Sequence, residues 1–149
     1  MASLAVDKIK KKVNLSLSDG VQYAGFFFLS PFSETGSGRE TLLDLLGGRE
    51  RFIPFETGEG QVYFLNNDHI VWVASAREPD EHEASVPPDR RNVTVHLADG
   101  KRLRGDVVMA LPDEKSRLSD WLNELSKFMV LRDEKREVLI NVNYVVKIG

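Results

Sequence analysis

The chain has no cysteine. Disulfides, thiol nucleophiles and cysteine-ligated zinc are therefore excluded, and the composition suits a reducing cytoplasm. Histidine is scarce, with three in 149 residues, His69, His82 and His96. No two stand at the i, i+4 spacing of a helical zinc site. A Gly-x-Ser-x-Gly nucleophile turn is missing, and so is a Gly-x4-Gly-Lys-Ser/Thr phosphate loop. An enzyme is not expected, and neither a cofactor nor a metal is implied. Long apolar runs are also lacking: none approaches the roughly 20 residues that span a membrane. The opening Met1-Ala2-Ser3-Leu4-Ala5-Val6 has no basic segment ahead of a long apolar core, so a secretory signal is not expected there. Basic excess is absent, with a net charge of −3. Nucleic-acid binders usually carry a basic stripe, whereas only Lys8, Lys10, Lys11 and Lys12 cluster here, at one edge.

What is present is an ordinary globular balance, 42% hydrophobic and 29% charged. It comes with a repeat. Val13-Asn14-Leu15-Ser16-Leu17-Ser18-Asp19-Gly20, followed by Gly25, returns as Val93-Thr94-Val95-His96-Leu97-Ala98-Asp99-Gly100, followed by Gly105. The offsets 93 − 13, 99 − 19 and 105 − 25 are all 80. Near the ends, Leu65 to Val73 aligns with Ile140 to Ile148 at 140 − 65 = 75. This is an internal duplication, with the second copy shortened between its ends.

Within each copy, apolar residues alternate with polar ones over the first strand, at the period of a half-buried strand. Asp-Gly then marks a hairpin turn. The second strands run over Val21 to Leu29 and Lys101 to Met109, and a glycine inside each suggests a bend. In the first copy Ser37-Gly38-Arg39-Glu40 has capping-box spacing. Leu42, Leu43, Leu45 and Leu46 follow as a short helix that Gly47-Gly48 ends. Arg117 to Leu125 is the helix of the second copy, with Leu118, Trp121, Leu122 and Leu125 at helical spacing. Three more strands complete each copy, over Arg51 to Phe55, Gln61 to Asn66 and His69 to Ser75, then Phe128 to Leu131, Glu137 to Asn141 and Tyr144 to Ile148. The stretch between copies is polar and proline-marked, as a linker is. The expected organisation is a lead-in over 1–10, a first repeat over 11–75, a linker over 76–90 and a second repeat over 91–149.

In this order of elements, ending in a Leu/Ile-Asn…Ile/Val-Val pattern, each copy resembles a small SH3-like or Sm-like β-barrel. The second copy also resembles a bacterial domain family of unknown function, through Arg117-Leu118-Ser119-Asp120-Trp121-Leu122-Asn123, Phe128 and Leu139-Ile140-Asn141. The resemblance implies a mainly β fold of two tandem five-stranded SH3-like/Sm-like barrel repeats, each with one short helix between strands two and three. It implies no chemistry. RNA-binding Sm-like proteins carry their helix before the first strand, a placement this chain does not share.

The two copies differ most in their aromatic residues. Phe27 and Leu29 match Val107 and Met109 on the expected core face. On the opposite face Phe26 and Phe28 stand where the second copy has Asp106 and Val108, and Trp72 stands where it has Lys147. Each such aromatic, if buried, contributes about 1.5 to 3 kcal/mol. Phe26, Phe28 and Trp72 are therefore the candidate interface, with a partner or between the repeats. The expected function is a non-enzymatic protein-interaction or assembly module that binds a protein partner or itself. The alternatives are Sm-like RNA binding, for which Arg102 and Arg104 on one strand face speak, and a small-ligand sensor with a site between the repeats. Asp80-Glu81-His82-Glu83 reads as a solvated acidic linker rather than a metal site.

Overall fold

The computed structural model describes residues 8–32, 38–77, 89–109 and 118–149. The chain divides into two compact units, Met1–Ser75 and Ala76–Gly149. The first unit contains β1 (Ile9–Leu17), β2 (Gln22–Leu29), α1 (Leu42–Leu46), β3 (Phe52–Thr57), β4 (Val62–Asn66), a 3-10 turn (Asn67–His69) and β5 (Ile70–Ala76). The second contains β6 (Asp89–Leu97), β7 (Arg102–Met109), α2 (Leu118–Glu124), β8 (Phe128–Arg132), β9 (Arg136–Asn141), a 3-10 turn (Val142–Tyr144) and β10 (Val145–Ile148).

Strand pairing shows the duplication directly. Within the first unit the order is β5-β1-β2-β3-β4, and within the second β10-β6-β7-β8-β9. All recorded ladders are antiparallel. Val13 pairs with Gly25 as Val93 pairs with Gly105. Both first hairpins turn as Asp-Gly predicts. Gly20 and Gly100 have φ of 87° and 90°, in the left-handed region that glycine adopts without a Cβ clash. Asp19 Oδ1 accepts from Val21 N at 2.9 Å, and Asp99 Oδ1 accepts from Lys101 N at 2.8 Å.

The fold is mainly β, but the sequence-based expectation of closed barrels is not met. Among the described residues no ladder joins β4 to β5 or β9 to β10, so neither five-strand set closes. The β2–β3 ladder ends at Phe27↔Phe55, one residue before Pro54, which has no N–H to donate.

The glycines inside β2 and β7 answer to close strand approach rather than to unusual φ. A methyl group on Gly25 would overlap the Glu56 carbonyl and lie 2.8 Å from Phe55 Cζ. On Gly105 it would lie 3.1 Å from the Arg132 carbonyl oxygen. The rings of Phe27 and Phe55 meet edge-on beside this approach, with centroids 5.1 Å apart. Both are fully buried, with Leu15, Leu46, Ile53 and Val73. Val95, Val107, Met129 and Ile140 are fully buried in the second unit.

The helix cap differs from the expected one. Thr41 is the N-cap of α1: Thr41 Oγ1 accepts from Asp44 N at 3.1 Å, and Asp44 Oδ2 accepts from Thr41 N at 3.0 Å. Ser37, the cap expected from sequence, lies outside the described residues. Glu40 is used elsewhere, accepting from Ser30 N at 2.9 Å through Oε1. Of the four α1 leucines, Leu42 and Leu46 are buried. The strands begin earlier than expected, at Ile9 and Asp89, so the ends of the expected lead-in and linker are strand. The rest of that linker, 78–88, includes Asp80 to Glu83 and lies outside the described residues.

Candidate functional site

Period-two alternation divides β2 between two faces. Phe27 and Leu29 are buried in the core, while Phe26 and Phe28 stand half-buried on the opposite, outer face. The ladder carries that face onward. Phe26 pairs with Glu56 of β3, and Glu56 pairs with Val62 of β4. Pro54 pairs with Phe64, and Phe52 with Asn66. Paired residues of a sheet share a face, so Phe26, Phe28, Phe52, Pro54, Val62 and Phe64 share one largely apolar outer surface over β2, β3 and β4, with Glu56 between Phe26 and Val62. Phe64 is 69% exposed, Phe52 56% and Val62 50%. Lys10 borders it. Its Nζ lies 2.9 Å from Glu56 Oε2 and 5.6 Å from the Phe26 ring centroid. Isolated exposed apolar residues are ordinary, but a contiguous set of this kind marks a contact surface.

Phe26 and Phe28 stand together on this face, and Trp72 lies on the same face farther along the strands, in the row of Ser16 and Gln22. Trp72 pairs with Ser16 on β1, and both are buried, at 7% and 4% exposure. Sequence reasoning missed Phe52, Val62 and Phe64. The signal was available in the alternation of Val62, Phe64 and Asn66 against Tyr63 and Leu65.

The same positions of the second unit carry different chemistry. Asp106 pairs with Arg132, and Arg132 with Glu137. Arg132 Nε and Glu137 Oε2 are 3.3 Å apart. Asp106 Oδ1 accepts from Asn92 Nδ2 at 3.1 Å, and Asn92 Oδ1 accepts from Arg104 Nε at 2.8 Å. Farther along, Arg102 pairs with His96, and His96 with Lys147. Burial, Lys147 and Arg102 together hold His96 below the usual imidazole value. The corresponding row of the first unit is Gln22, Ser16 and Trp72.

One hydrogen bond has the look of a catalytic pair. Ser18 Oγ lies 2.8 Å from His69 Nδ1. Ser18 N also donates to His69 O at 2.9 Å, and Ala98 N donates to Tyr144 O at 2.9 Å in the second unit. The pair thus decorates a backbone contact that both units use to tie the first hairpin to the 3-10 turn. Among the described residues no group of three or more His, Asp or Glu is placed to hold a metal ion. No described helix is long and apolar enough to cross a membrane.

At the rim of the core face, beside Phe55, Tyr23 and Tyr63 meet with ring centroids 5.5 Å apart and planes tilted by 41°. Burial, then the neighbouring Tyr63, push the Tyr23 phenol above its usual value. Comparison with protein-family models, with curated proteins and with solved structures found no match to this chain.

Proposed function

We propose that the chain is a non-enzymatic protein-interaction or assembly module built from two small SH3-like/Sm-like units, and that it binds through the outer face of the first. The observation that carries this reading is the apolar surface of Phe26, Phe28, Phe52, Pro54, Val62 and Phe64. Its three most exposed members are 69%, 56% and 50% accessible. Interface centres are enriched in aromatic residues and depleted in charge, and this face has both properties at β4. Affinity capture with the wild type and with Phe28→Lys tests the reading. Phe28 is only half-buried, so a lysine there can keep its stem on the sheet and its charge in water. Loss of specific partners, or of self-capture, with the variant supports the reading. Identical capture by the two proteins overturns it.

A second reading, Sm-like RNA binding, draws on the row Arg102, His96 and Lys147 across β7, β6 and β10. Arg102 and Lys147 flank His96 in this row, and two cations so placed would attract a phosphate backbone. Phosphate-driven binding weakens as salt rises. Binding of a mixed RNA pool that fails to weaken with salt, or is absent, removes this reading.

A further inference from the structure

We propose that the chain self-associates through β4. Two copies add their β4 strands edge to edge, antiparallel, about a two-fold axis at Phe64. The inference deepens the assembly reading and rests on it, naming a second copy of this chain as the partner.

The strand itself supplies the argument. β4 ends the strand order of the first unit, and among the described residues its ladder partner is β3. Natural edge strands are blunted by charge, proline or a bulge, because bare edges recruit other strands. Val62-Tyr63-Phe64-Leu65-Asn66 has none of these. In the second unit the terminal strand β10 carries Lys147 and a register shift between Val145 and Lys147. Such protection is present at β10 and missing at β4.

The sequence of β4 also complements itself. Antiparallel pairing about Phe64 sets Val62 opposite the second copy's Asn66, and Tyr63 opposite its Leu65. No like charges meet. On the outer face, Pro54 and Phe64 would run on into the second copy's Phe64 and Pro54 as one apolar stripe. A two-fold contact of this kind closes on itself and yields a dimer rather than a fibre. Of the described exposed apolar residues only Val62 and Phe64 stand beside the second copy, with at most about 200 Å² of exposed side chain per copy, taking an aromatic side chain as about 150–250 Å². That is below the roughly 800 Å² per partner of a standard interface, so the dimer is expected to form in the micromolar range rather than the nanomolar.

The absence of cysteine makes the test direct. Residues directly opposed across an antiparallel pair have Cα atoms about 4.5–5.5 Å apart, within disulfide range. Under mild oxidation Phe64→Cys is expected to crosslink into dimers at least tenfold faster than Glu59→Cys, an exposed hairpin control. Phe64→Lys and Phe64→Glu alone should each sediment as monomers, and an equimolar mixture should recover the dimer. An unchanged thermal transition in these variants shows that the fold is intact. Wild type that stays monomeric to millimolar concentration overturns the proposal. So does a crosslinking rate at position 64 no greater than at position 59, or capture of a foreign strand at β4 in place of the second copy. If only the dimer fails while capture still depends on Phe28, the self-pairing falls and the broader assembly reading stands.

Discussion

Phe64 and Leu139 hold the same place in their two ladders, opposite Pro54 and Val130, yet Phe64 is 69% exposed and Leu139 is 1% exposed. A charge should therefore be tolerated at one and refused at the other. Leu139→Lys is expected to lose about 3 kcal/mol or more, the scale of an uncompensated buried charge. Phe64→Lys should stay within about 0.5 kcal/mol of wild type, as exposed substitutions do. Urea denaturation of both variants measures the difference, and equal losses would mean that the face assignment is wrong.

The approach of β3 to β2 is closer at Gly25 than that of β8 to β7 at Gly105. Gly25→Ala must push the Glu56 carbonyl and the Phe55 ring aside, whereas Gly105→Ala needs a shift of a few tenths of an ångström. The first is expected to lower stability by roughly 2–3 kcal/mol and the second by about 1 kcal/mol or less. Calorimetry of the two variants should rank them in that order.

The two 3-10 turns are capped alike. Asn66 Oδ1 accepts from Asp68 N, and Asn141 Oδ1 accepts from Asn143 N, both at 3.0 Å. Replacing either asparagine with alanine is expected to cost about 1 kcal/mol, the usual loss of a side-chain cap. Asn141 is fully buried, so its loss should be the greater. Chemical denaturation of Asn66→Ala and Asn141→Ala checks both the size and the order.

His96 titrates below the usual imidazole value, through burial first and then through Lys147 and Arg102. The folded chain thus resists a proton that the unfolded chain accepts. This opposition is absent above about pH 6.5, the unfolded value, and grows as pH falls toward the folded value. His96→Ser, which installs the residue of the first copy at Ser16, should gain thermal stability relative to wild type as pH drops from 7 to 5. A difference that stays constant over that range would contradict the assignment.

Much of this architecture can be read from local pattern. The alternation of Val13, Leu15 and Leu17, and of Val93, Val95 and Leu97, marks the strands. Asp-Gly marks the turns, and period two separates Phe27 and Leu29 from Phe26 and Phe28. What escaped the sequence depends on distant partners. Ser37-x-x-Glu40 and Thr41-x-x-Asp44 both have capping spacing, and the choice fell to the second because Glu40 bonds Ser30 instead. Ser18 and His69 meet across 51 residues of chain. The β2–β3 ladder stops one residue before Pro54, whose missing N–H matters only once β2 lies beside β3. The exposure of Phe64 follows from its place on the outer face with Phe52 and Val62, and which face lies outward is a matter of tertiary packing that no local period reports.

Hydrogen–deuterium exchange at the β4 amides, followed over protein concentration, tests the role of this strand most directly. A bare edge exchanges quickly, and a paired edge is protected. Protection of Val62 to Asn66 is expected to rise as concentration passes through the micromolar range, while the amides of β1 stay unchanged. Exchange at β4 that is independent of concentration would contradict assembly through this edge.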